Sequence, residues 1–177
     1  MSAVDKRYPF GKYLNGVLVE TGAFRGDGIK AALAAGFGRV YSIEIAPFYH
    51  DFCKSLFSNE PKVKMVLGDS GTSLGQAISE IKEPITFWLD GHHCGGNSGI
   101  GIKPAPIIEE LEQIRQHPLA KQHTILIDDR RHINPGAFGI SEKDVIDKLK
   151  EINPDFRISY EDGHQANDVI VATPPKK

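Results

Sequence analysis

The stretch VETGAFRGDG, from Val19 to Gly28, decides how the rest of the chain is interpreted. An apolar run ends in the carboxylate of Glu20, and glycines follow at Gly22, Gly26 and Gly28. This order predicts a buried strand, a tight turn and the start of a helix, because glycine adopts the backbone conformations that such turns need. The first turn of a helix also offers unpaired N–H groups to a ligand. The stretch therefore predicts a ligand site with a negative charge in its strand.

Apolar, β-branched runs alternate with helical patterns along most of the chain. The predicted strands are GVLVETG, RVYSIEI, VKMVLGD, ITFWLDG and HTILIDD, followed by the terminal pair FRISYED and DVIVATP. This alternation predicts an α/β, Rossmann-like fold: a mostly parallel seven-stranded sheet with helices on both faces and a C-terminal antiparallel hairpin. The sequence contains no internal repeat and no linker, so we expect one domain over residues 1–177, with a core from about 17 to 174.

The second predicted helix begins at Pro47, because proline suits the first helical position. Its apolar residues recur with helical spacing and are predicted to face the core: Phe48, Phe52, Leu56 and Phe57.

Composition narrows the class of protein. The 177 residues carry a formal net charge of -2, with 40% hydrophobic and 25% charged residues, as in soluble globular proteins. No basic stretch interleaved with aromatic residues suggests nucleic-acid binding, and no apolar run is long enough to span a membrane. The N-terminus lacks the apolar core of a signal peptide. The two cysteines, Cys53 and Cys94, show no metal or redox spacing, so we expect reduced thiols in a cytoplasmic protein.

Acidic residues stand at or just past the ends of five predicted strands. In open α/β sheets, ligands bind outside the carboxyl ends of the strands. We therefore expect six carboxylates along one edge of the sheet: Glu20, Glu44, Asp69, Asp90, Asp128 and Asp129.

The first two acids suit a nucleoside. An acid at the end of the second strand, as Glu44 is, commonly binds both hydroxyls of a ribose. That holds for NAD and for S-adenosylmethionine, and the turn distinguishes them. A dinucleotide fingerprint requires G-x-G-x-x-G, but Phe24 stands where the second glycine belongs, and Glu20 would place negative charge near a pyrophosphate. A cationic ligand without phosphate fits better.

ETGAFRGDG resembles motif I of the class I S-adenosylmethionine-dependent methyltransferases, in the form found in the catechol O-methyltransferases, and YSIEIAPFY resembles their next motif. The resemblance implies a methyltransferase fold whose Gly22 turn and Glu20 hold the methionine part, while Glu44 holds the ribose and Asp69 faces the adenine. The cofactor-binding residues it implies are Glu20, Thr21, Gly22, Ala23, Phe24, Gly26, Glu44, Ile45, Asp69, Ser70 and Asp90. Two structural alternatives stay open: a cap on the following helix for Glu20, and a turn former and N-cap for Asp69.

FWLDGHH and LIDDRRH end two strands that this fold makes neighbours. Three carboxylates so close together repel one another unless a cation lies among them, and oxygen ligands without cysteine indicate Mg²⁺ or another hard divalent cation. The pattern is similar to metal-dependent O-methyltransferases, most closely the macrolide-sugar enzymes, which implies Asp90, Asp128 and Asp129 as metal ligands. Asp129 departs from the asparagine of the catechol family. A set of helix caps and turn formers is the alternative.

Two histidines follow Asp90. Methyl transfer to oxygen requires the substrate hydroxyl to lose its proton, and an imidazole near neutral pH can accept it. By the resemblance, His93 occupies the position of the catalytic base, and His92 is the alternative base or a supporting residue. Both are open to interpretation as loop histidines.

A basic rim is predicted around the acidic centre, made of His92, His93, Lys103, Arg130, Arg131, His132 and His164. This favours a small anionic hydroxyl substrate, such as a sugar phosphate, unless Arg130 and Arg131 only balance the aspartates. Other functions stay open: an NAD-linked oxidoreductase, metal-assisted hydrolysis, or a non-catalytic cofactor-binding module acting with a partner. Because no long segment precedes the first strand, a partner chain or a second copy in a homodimer is a candidate to cover the cofactor.

Overall fold

The computed structural model describes residues 7–92, 99 and 101–175. Strands and helices alternate through most of this range, as the sequence predicts. The strands are β1 (Val17–Thr21), β2 (Arg39–Glu44), β3 (Val63–Leu67), β4 (Ile85–Leu89), β5 (Thr124–Ile127), β6 (Arg157–Glu161) and β7 (Val169–Thr173). The helices are α1 (Asp27–Ala35), α2 (Pro47–Leu56), α3 (Ser70–Ile78), α4 (Ile107–Arg115) and α5 (Glu142–Ile152).

All seven strands form one sheet in the order β3-β2-β1-β4-β5-β7-β6. The first five strands are parallel, and β7 runs antiparallel to both β5 and β6. The predicted fold, including the C-terminal antiparallel hairpin, is confirmed. The strand order reverses between β1 and β4, and such a switch point opens a crevice at the carboxyl ends of the strands.

Each face of the sheet has its own hydrophobic core. Helices α3, α4 and α5 pack on one face, through residues such as Leu74, Leu111 and Leu149. Helices α1 and α2 and the N-terminal segment pack on the other face, where Phe10 and Trp88 are fully buried. Because both faces of β1, β4 and β5 are covered, these strands are buried throughout their length and mostly apolar. No helix in the described part of the chain has the length and apolar character needed to cross a membrane.

Helix α2 does not bury the residues that its periodicity suggested. It begins at Pro47, as predicted, but Phe48 is 71% exposed, and Phe52 and Leu56 are also exposed. Its buried residues are His50 and Cys53, and Phe57 is only partly buried. The predicted buried stripe was therefore wrong for three of its four residues. Spacing shows that a helix has an apolar stripe, but the stripe here lies on the outer side.

Two buried histidines form a hydrogen-bonded pair at the edge of the sheet where β4 and β5 begin. His123 Nε2 lies 2.9 Å from His117 Nδ1, and the Ile85 N–H donates to His123 Nδ1 at 3.0 Å. His117 Nε2 lies 3.1 Å from the Ile81 carbonyl oxygen. All four ring nitrogens are thus bonded when both imidazoles are neutral. Burial, reinforced by His117, lowers the pKa of His123 to about 3.

Candidate active site

A cleft of about 350 Å³ lies at the carboxyl ends of the parallel strands. All five parallel strands, or the residues just after them, contribute to its wall. The cleft runs without interruption from the glycine turn after β1 to the two aspartates after β5. The site residues predicted from the sequence that line this cleft are Glu20, Gly22, Ala23, Phe24, Glu44, Ile45, Asp69, Ser70, Asp90, His92, Asp128 and Asp129. Of the predicted cofactor residues, Thr21 and Gly26 lie outside this lining.

Glu20 is a buried carboxyl group that opens onto the cleft. It is 1% exposed, and its Oε1 has no hydrogen-bond partner among the described residues. Burial raises its pKa to about 8, the Glu44 carboxylate adds to the effect, and the nearby Ser42 hydroxyl opposes it. A methyl group on Gly28 would lie 2.7 Å from Glu20 Oε2, so this glycine makes room for the carboxylate. Among the described residues, no N–H of the first turn of α1 donates to Glu20, and the N-cap residue of that helix is Gly26.

The turn after β1 needs its glycine for two reasons. Gly22 has a φ of 85°, in the left-handed region, and a Cβ there would lie 2.3 Å from the Asp90 carbonyl oxygen. Phe24 also has a positive φ, 43°, which is unfavourable for a residue with a side chain. Its ring packs against Tyr49 with the centroids 4.5 Å apart. Backbone strain of this kind concentrates at functional sites.

Glu44 is held rigidly at the end of β2. Its Oε2 accepts a hydrogen bond from the Phe24 N–H at 2.9 Å, and its Oε1 accepts one from the Ala46 N–H at 2.8 Å. The strained conformation of Phe24 thus aims its N–H at this carboxylate. Each oxygen keeps a second lone pair, so the group can still accept from a ligand hydroxyl.

Asp69 is the N-cap of α3, which confirms one of its alternative interpretations. Its Oδ1 accepts from the Gly71 N–H, and its Oδ2 accepts from the Ile102 N–H, both at 2.9 Å. It nevertheless lines the cleft, with Ser70 beside it. Gly26, which lies outside the cleft, instead packs against α2: a Cβ on it would lie 2.7 Å from the Phe57 ring.

The predicted metal ligands fall into two overlapping groups rather than one. Asp90, His92 and Asp129 can offer ligand atoms within 4.8 Å of one another, and so can Asp128, Asp129 and Asp168. His92 lies between two carboxylates, with Nε2 2.6 Å from Asp129 Oδ2 and Nδ1 3.3 Å from Asp90 Oδ1. An imidazole with a carboxylate at each nitrogen is stabilised in its doubly protonated form, which cannot accept a proton. This geometry favours a supporting role for His92 over that of base.

Arg131 is the second cation in the acidic centre. It forms ion pairs with Asp129 and with Asp168, which is 1% exposed. Burial opposes ionisation of Asp129, but the hydrogen bond from His92 and the charges of His92, Arg131 and His132 hold its pKa below the usual value. The predicted balancing of aspartates by arginine is thus present for Arg131.

Asp128 forms no ion pair with a lysine, arginine or histidine in the described part of the chain. It is 7% exposed, and its Oδ1 has no hydrogen-bond partner among the described residues. Burial, together with the charges of Asp129 and Asp168, raises its pKa to about 6, although a backbone hydrogen bond and His164 work against the shift. A buried carboxylate oxygen beside other acids is the kind of group that a hard divalent cation binds.

Most residues of the predicted basic rim form ion pairs with acidic residues of the same chain. Lys103 pairs with Glu109, and Arg130 pairs with Glu142 at 2.9 Å. His132 and His164 are exposed, and only His164 lines the cleft. His93, the predicted catalytic base, lies outside the described residues.

Three functional candidates were missed at the sequence level. Tyr8 lines the cleft beside Glu20 and packs on Trp88, with the ring centroids 5.4 Å apart. Asp168 enters the acidic centre from the residue just before β7, far along the chain. Glu110 lies fully buried behind the cleft. Only the acidic character of the last two was visible in the sequence, because nothing in their spacing links them to a strand end.

No protein-family model matches the chain, and no curated protein matches it significantly. Solved structures do match. An O-methyltransferase from Bacillus cereus in complex with S-adenosylhomocysteine aligns with a TM-score of 0.59 at 14% identity, over 89% of this chain and 74% of that one. NcsB1, an O-methyltransferase from neocarzinostatin biosynthesis in complex with S-adenosylhomocysteine and 1,4-dihydroxy-2-naphthoic acid, aligns with a TM-score of 0.59 at 12% identity, over 96% and 52%.

The 23S rRNA methyltransferase ErmE has the same fold, with a TM-score of 0.56 at 14% identity, over 91% of this chain and 62% of that one. The chain therefore has the fold of S-adenosylmethionine-dependent methyltransferases, and it spans about half to three quarters of the length of these three. One of these structures holds a dihydroxynaphthoic acid and another is a ribosomal RNA methyltransferase, so the fold does not select a substrate.

Proposed function

We propose that this protein is an S-adenosylmethionine-dependent O-methyltransferase that acts on a small hydroxylated molecule. One observation carries the proposal: a single cleft joins the nucleoside-type acids Glu20 and Glu44 to the acidic centre at Asp90, Asp128 and Asp129. A methyl donor at one end and an oxygen acceptor at the other would then meet near Asp90. The fold shared with the O-methyltransferases named above supports the same conclusion.

The donor end fits the chemistry of S-adenosylmethionine. Its bound form supplies a methyl group activated on a positively charged sulfur. Glu20 Oε1, which is buried and unpartnered, is suited to the ligand's ammonium group, because a buried acceptor without a bond carries a large energetic penalty. Glu44 is fixed by two backbone N–H groups and is suited to the ribose hydroxyls. Gly22 lets the backbone approach the ligand closely.

The acceptor end would orient a hydroxyl group and remove its proton. Asp90 and Asp129 are held apart by His92, which keeps both carboxylates in place around the cleft. We retain His93 as the proposed proton acceptor on the strength of the sequence, with His92 as its supporting cation.

A divalent cation, Mg²⁺ in our proposal, fits this end as well. Four carboxylates, Asp90, Asp128, Asp129 and Asp168, gather there around His92 and Arg131, and Asp128 Oδ1 has no hydrogen-bond partner among the described residues. Bound there, the cation would lower the pKa of the acceptor hydroxyl. Electron paramagnetic resonance of Mn²⁺ should show binding that Asp128→Asn weakens at least about ten-fold and that the exposed variant Asp162→Asn does not.

The substrate class is narrower in our proposal than the fold alone allows. An anionic acceptor such as a sugar phosphate stays a prediction, now supported by His164 rather than by the paired Arg130, Arg131 and Lys103. A screen with metal and S-adenosylmethionine should methylate anionic hydroxyl compounds. Turnover of neutral catechols alone would rule out the anionic class.

The methyltransferase proposal itself is tested by calorimetric titration with S-adenosylmethionine, S-adenosylhomocysteine and NAD⁺. We expect micromolar binding of the first two, loss of that binding in Glu44→Ala, and no change in Asp147→Ala, which removes an exposed carboxylate on α5. Thermal melting of both variants confirms that they are folded. Binding of NAD⁺ alone would instead support an oxidoreductase, and binding of none of the three would remove the methyltransferase proposal.

A further inference from the structure

Glu110 is a buried acid that the proposed reaction does not use. It lies on α4, is fully buried, and stands behind the cleft wall rather than in it. A carboxyl group in such a position carries an energetic penalty unless it is paired, and no lysine or arginine among the described residues forms an ion pair with it. Its contacts therefore need an explanation beyond packing.

Residues from three elements converge on this carboxyl group. The Ser70 hydroxyl donates to Glu110 Oε1 at 2.5 Å, and the Thr21 hydroxyl lies near enough to favour the ionised carboxylate. A Cβ on Gly91 would lie 3.0 Å from the same Oε1, so the carboxyl group lies directly against this glycine. The Asp90 N–H in turn donates to Thr21 Oγ1 at 3.2 Å. Glu110 thus connects the ends of β1 and β4 with the start of α3.

The surroundings of Glu110 disfavour its negative charge, so a nearby positive charge would stabilise the ionised carboxylate. Burial raises its pKa to about 7, Asp69 and Glu109 add to the effect, and the hydroxyl groups of Ser70 and Thr21 oppose it. Its Oε2 is buried and has no hydrogen-bond partner among the described residues. Ser70 and Gly91, which contact it, both line the cleft. A cation in the cleft would therefore favour the ionised form of Glu110 from the other side of Ser70 and Gly91.

We propose that Glu110 is a positioning residue that fixes the cleft wall and gives the site a preference for the positively charged methyl donor over its neutral product. The inference rests on the proposed function. S-adenosylmethionine carries a positive sulfonium that S-adenosylhomocysteine lacks, and the two are otherwise alike around the sulfur. The charge of Glu110 attracts the sulfonium, which only the first ligand carries, so this part of the attraction disappears once the methyl group has been transferred. This preference favours exchange of product for a new donor.

The test compares the dissociation constants of both ligands, measured by calorimetry, in wild type and Glu110→Gln. Glutamine keeps the size of the side chain and removes its charge. We expect binding of S-adenosylmethionine to weaken about ten-fold, the order expected for one buried charge at an effective dielectric constant near 20, while S-adenosylhomocysteine changes less than about two-fold. The matched control is Glu112→Gln, which removes a surface carboxylate two residues further along α4. This variant should change neither dissociation constant.

Equal weakening of both ligands by Glu110→Gln would assign Glu110 a purely structural role and overturn the proposal, as would no change in either. If Glu110→Gln does not fold, Ser70→Ala withdraws a bond that favours the ionised carboxylate and should shift the same preference by about three-fold. An unchanged preference in that variant would also overturn it. Failure of the proposed function is recognised separately, because the wild type would then bind neither ligand.

Discussion

The two edges of the central sheet differ in how they treat buried polar groups. At the carboxyl edge, Glu20, Glu110 and Asp128 are buried with one oxygen unpartnered among the described residues. At the opposite edge, His117 and His123 are equally buried, yet each ring nitrogen has a bonding partner. Strands β4 and β5 contribute to both edges, so the difference does not come from the strands themselves.

This contrast separates structure from function. Native proteins bond nearly all their buried polar groups, and the exceptions need an explanation such as a ligand or ion. The histidine edge follows that rule and holds the fold together. The carboxylate edge violates it in three places around one cleft, which indicates that its remaining partners come from bound molecules. The two edges should therefore respond to mutation in opposite ways.

Gly22→Ala should have the largest effect, because it disrupts the carboxyl edge through the backbone. The new Cβ would lie 2.3 Å from the Asp90 carbonyl oxygen at a φ of 85°. We expect a loss of about 3 kcal/mol in the free energy of unfolding and no measurable binding of S-adenosylhomocysteine. Gly36→Ala is the control, because Gly36 also has a positive φ but has open space around a new Cβ. We expect this variant to lose about 1 kcal/mol of stability and to bind the ligand normally. Similar losses in both variants would remove the special role of the Gly22 turn.

His123→Ala should destabilise the fold without affecting the cleft. The change leaves the Ile85 N–H and His117 without their partner and opens a cavity at the buried edge. We expect about 3 to 4 kcal/mol less stability in urea unfolding and an unchanged dissociation constant for S-adenosylhomocysteine. His132→Ala, at an exposed imidazole, should change neither quantity. Impaired binding in folded His123→Ala would contradict the separation of the two edges.

Glu20→Gln should show the opposite behaviour. Removing a buried, unpartnered charge leaves stability unchanged or slightly higher, whereas the ligand's ammonium loses its counter-charge. We expect affinity for S-adenosylhomocysteine to fall about 30- to 100-fold, as measured by calorimetry. A large loss of stability with intact affinity would show that Glu20 serves the fold.

The two edges should also give opposite pH dependence of stability. The pKa of His123 is lowered to about 3, so the unfolded chain gains a proton that the native state does not, and stability falls as pH drops from about 6.5 towards 3. The pKa of Glu20 is raised to about 8, so stability falls as pH rises from about 4.5 to 8. Each slope is worth on the order of 2 to 4 kcal/mol. Urea midpoints should show a smaller alkaline slope in Glu20→Gln, where Glu110 and Asp128 still contribute, and a smaller acid slope in His123→Ala; unaltered slopes would refute the assignment.

Ser141→Ala gives the smallest effect and lies at neither edge. It removes the capping box of α5, in which Ser141 and Asp144 bond reciprocally. We expect a loss of about 1 kcal/mol and normal ligand affinity. A binding defect here would show that affinity follows general stability rather than the carboxyl edge.

The sequence predicted the framework better than the contacts. Alternation gave the sheet, and the rule for parallel strands placed Glu20, Glu44, Asp90 and Asp128 along one cleft. The position of His92 between two carboxylates follows from side-chain packing, which spacing does not encode. The pairing of Arg131 with Asp168 joins residues far apart in the chain. The outward stripe of α2 shows the same limit, since periodicity does not reveal which side of a helix meets the core.

A crystal structure of the protein with S-adenosylhomocysteine would test the central claim most directly. We predict that the ammonium group lies within hydrogen-bonding distance of Glu20 Oε1 and that the ribose hydroxyls contact Glu44. The protein backbone at Phe24 and Ala46 should be unchanged. A ligand bound elsewhere, or one bound in the cleft while Glu20 Oε1 still lacks a partner, would contradict the claim that the unpartnered carboxylates mark the ligand site.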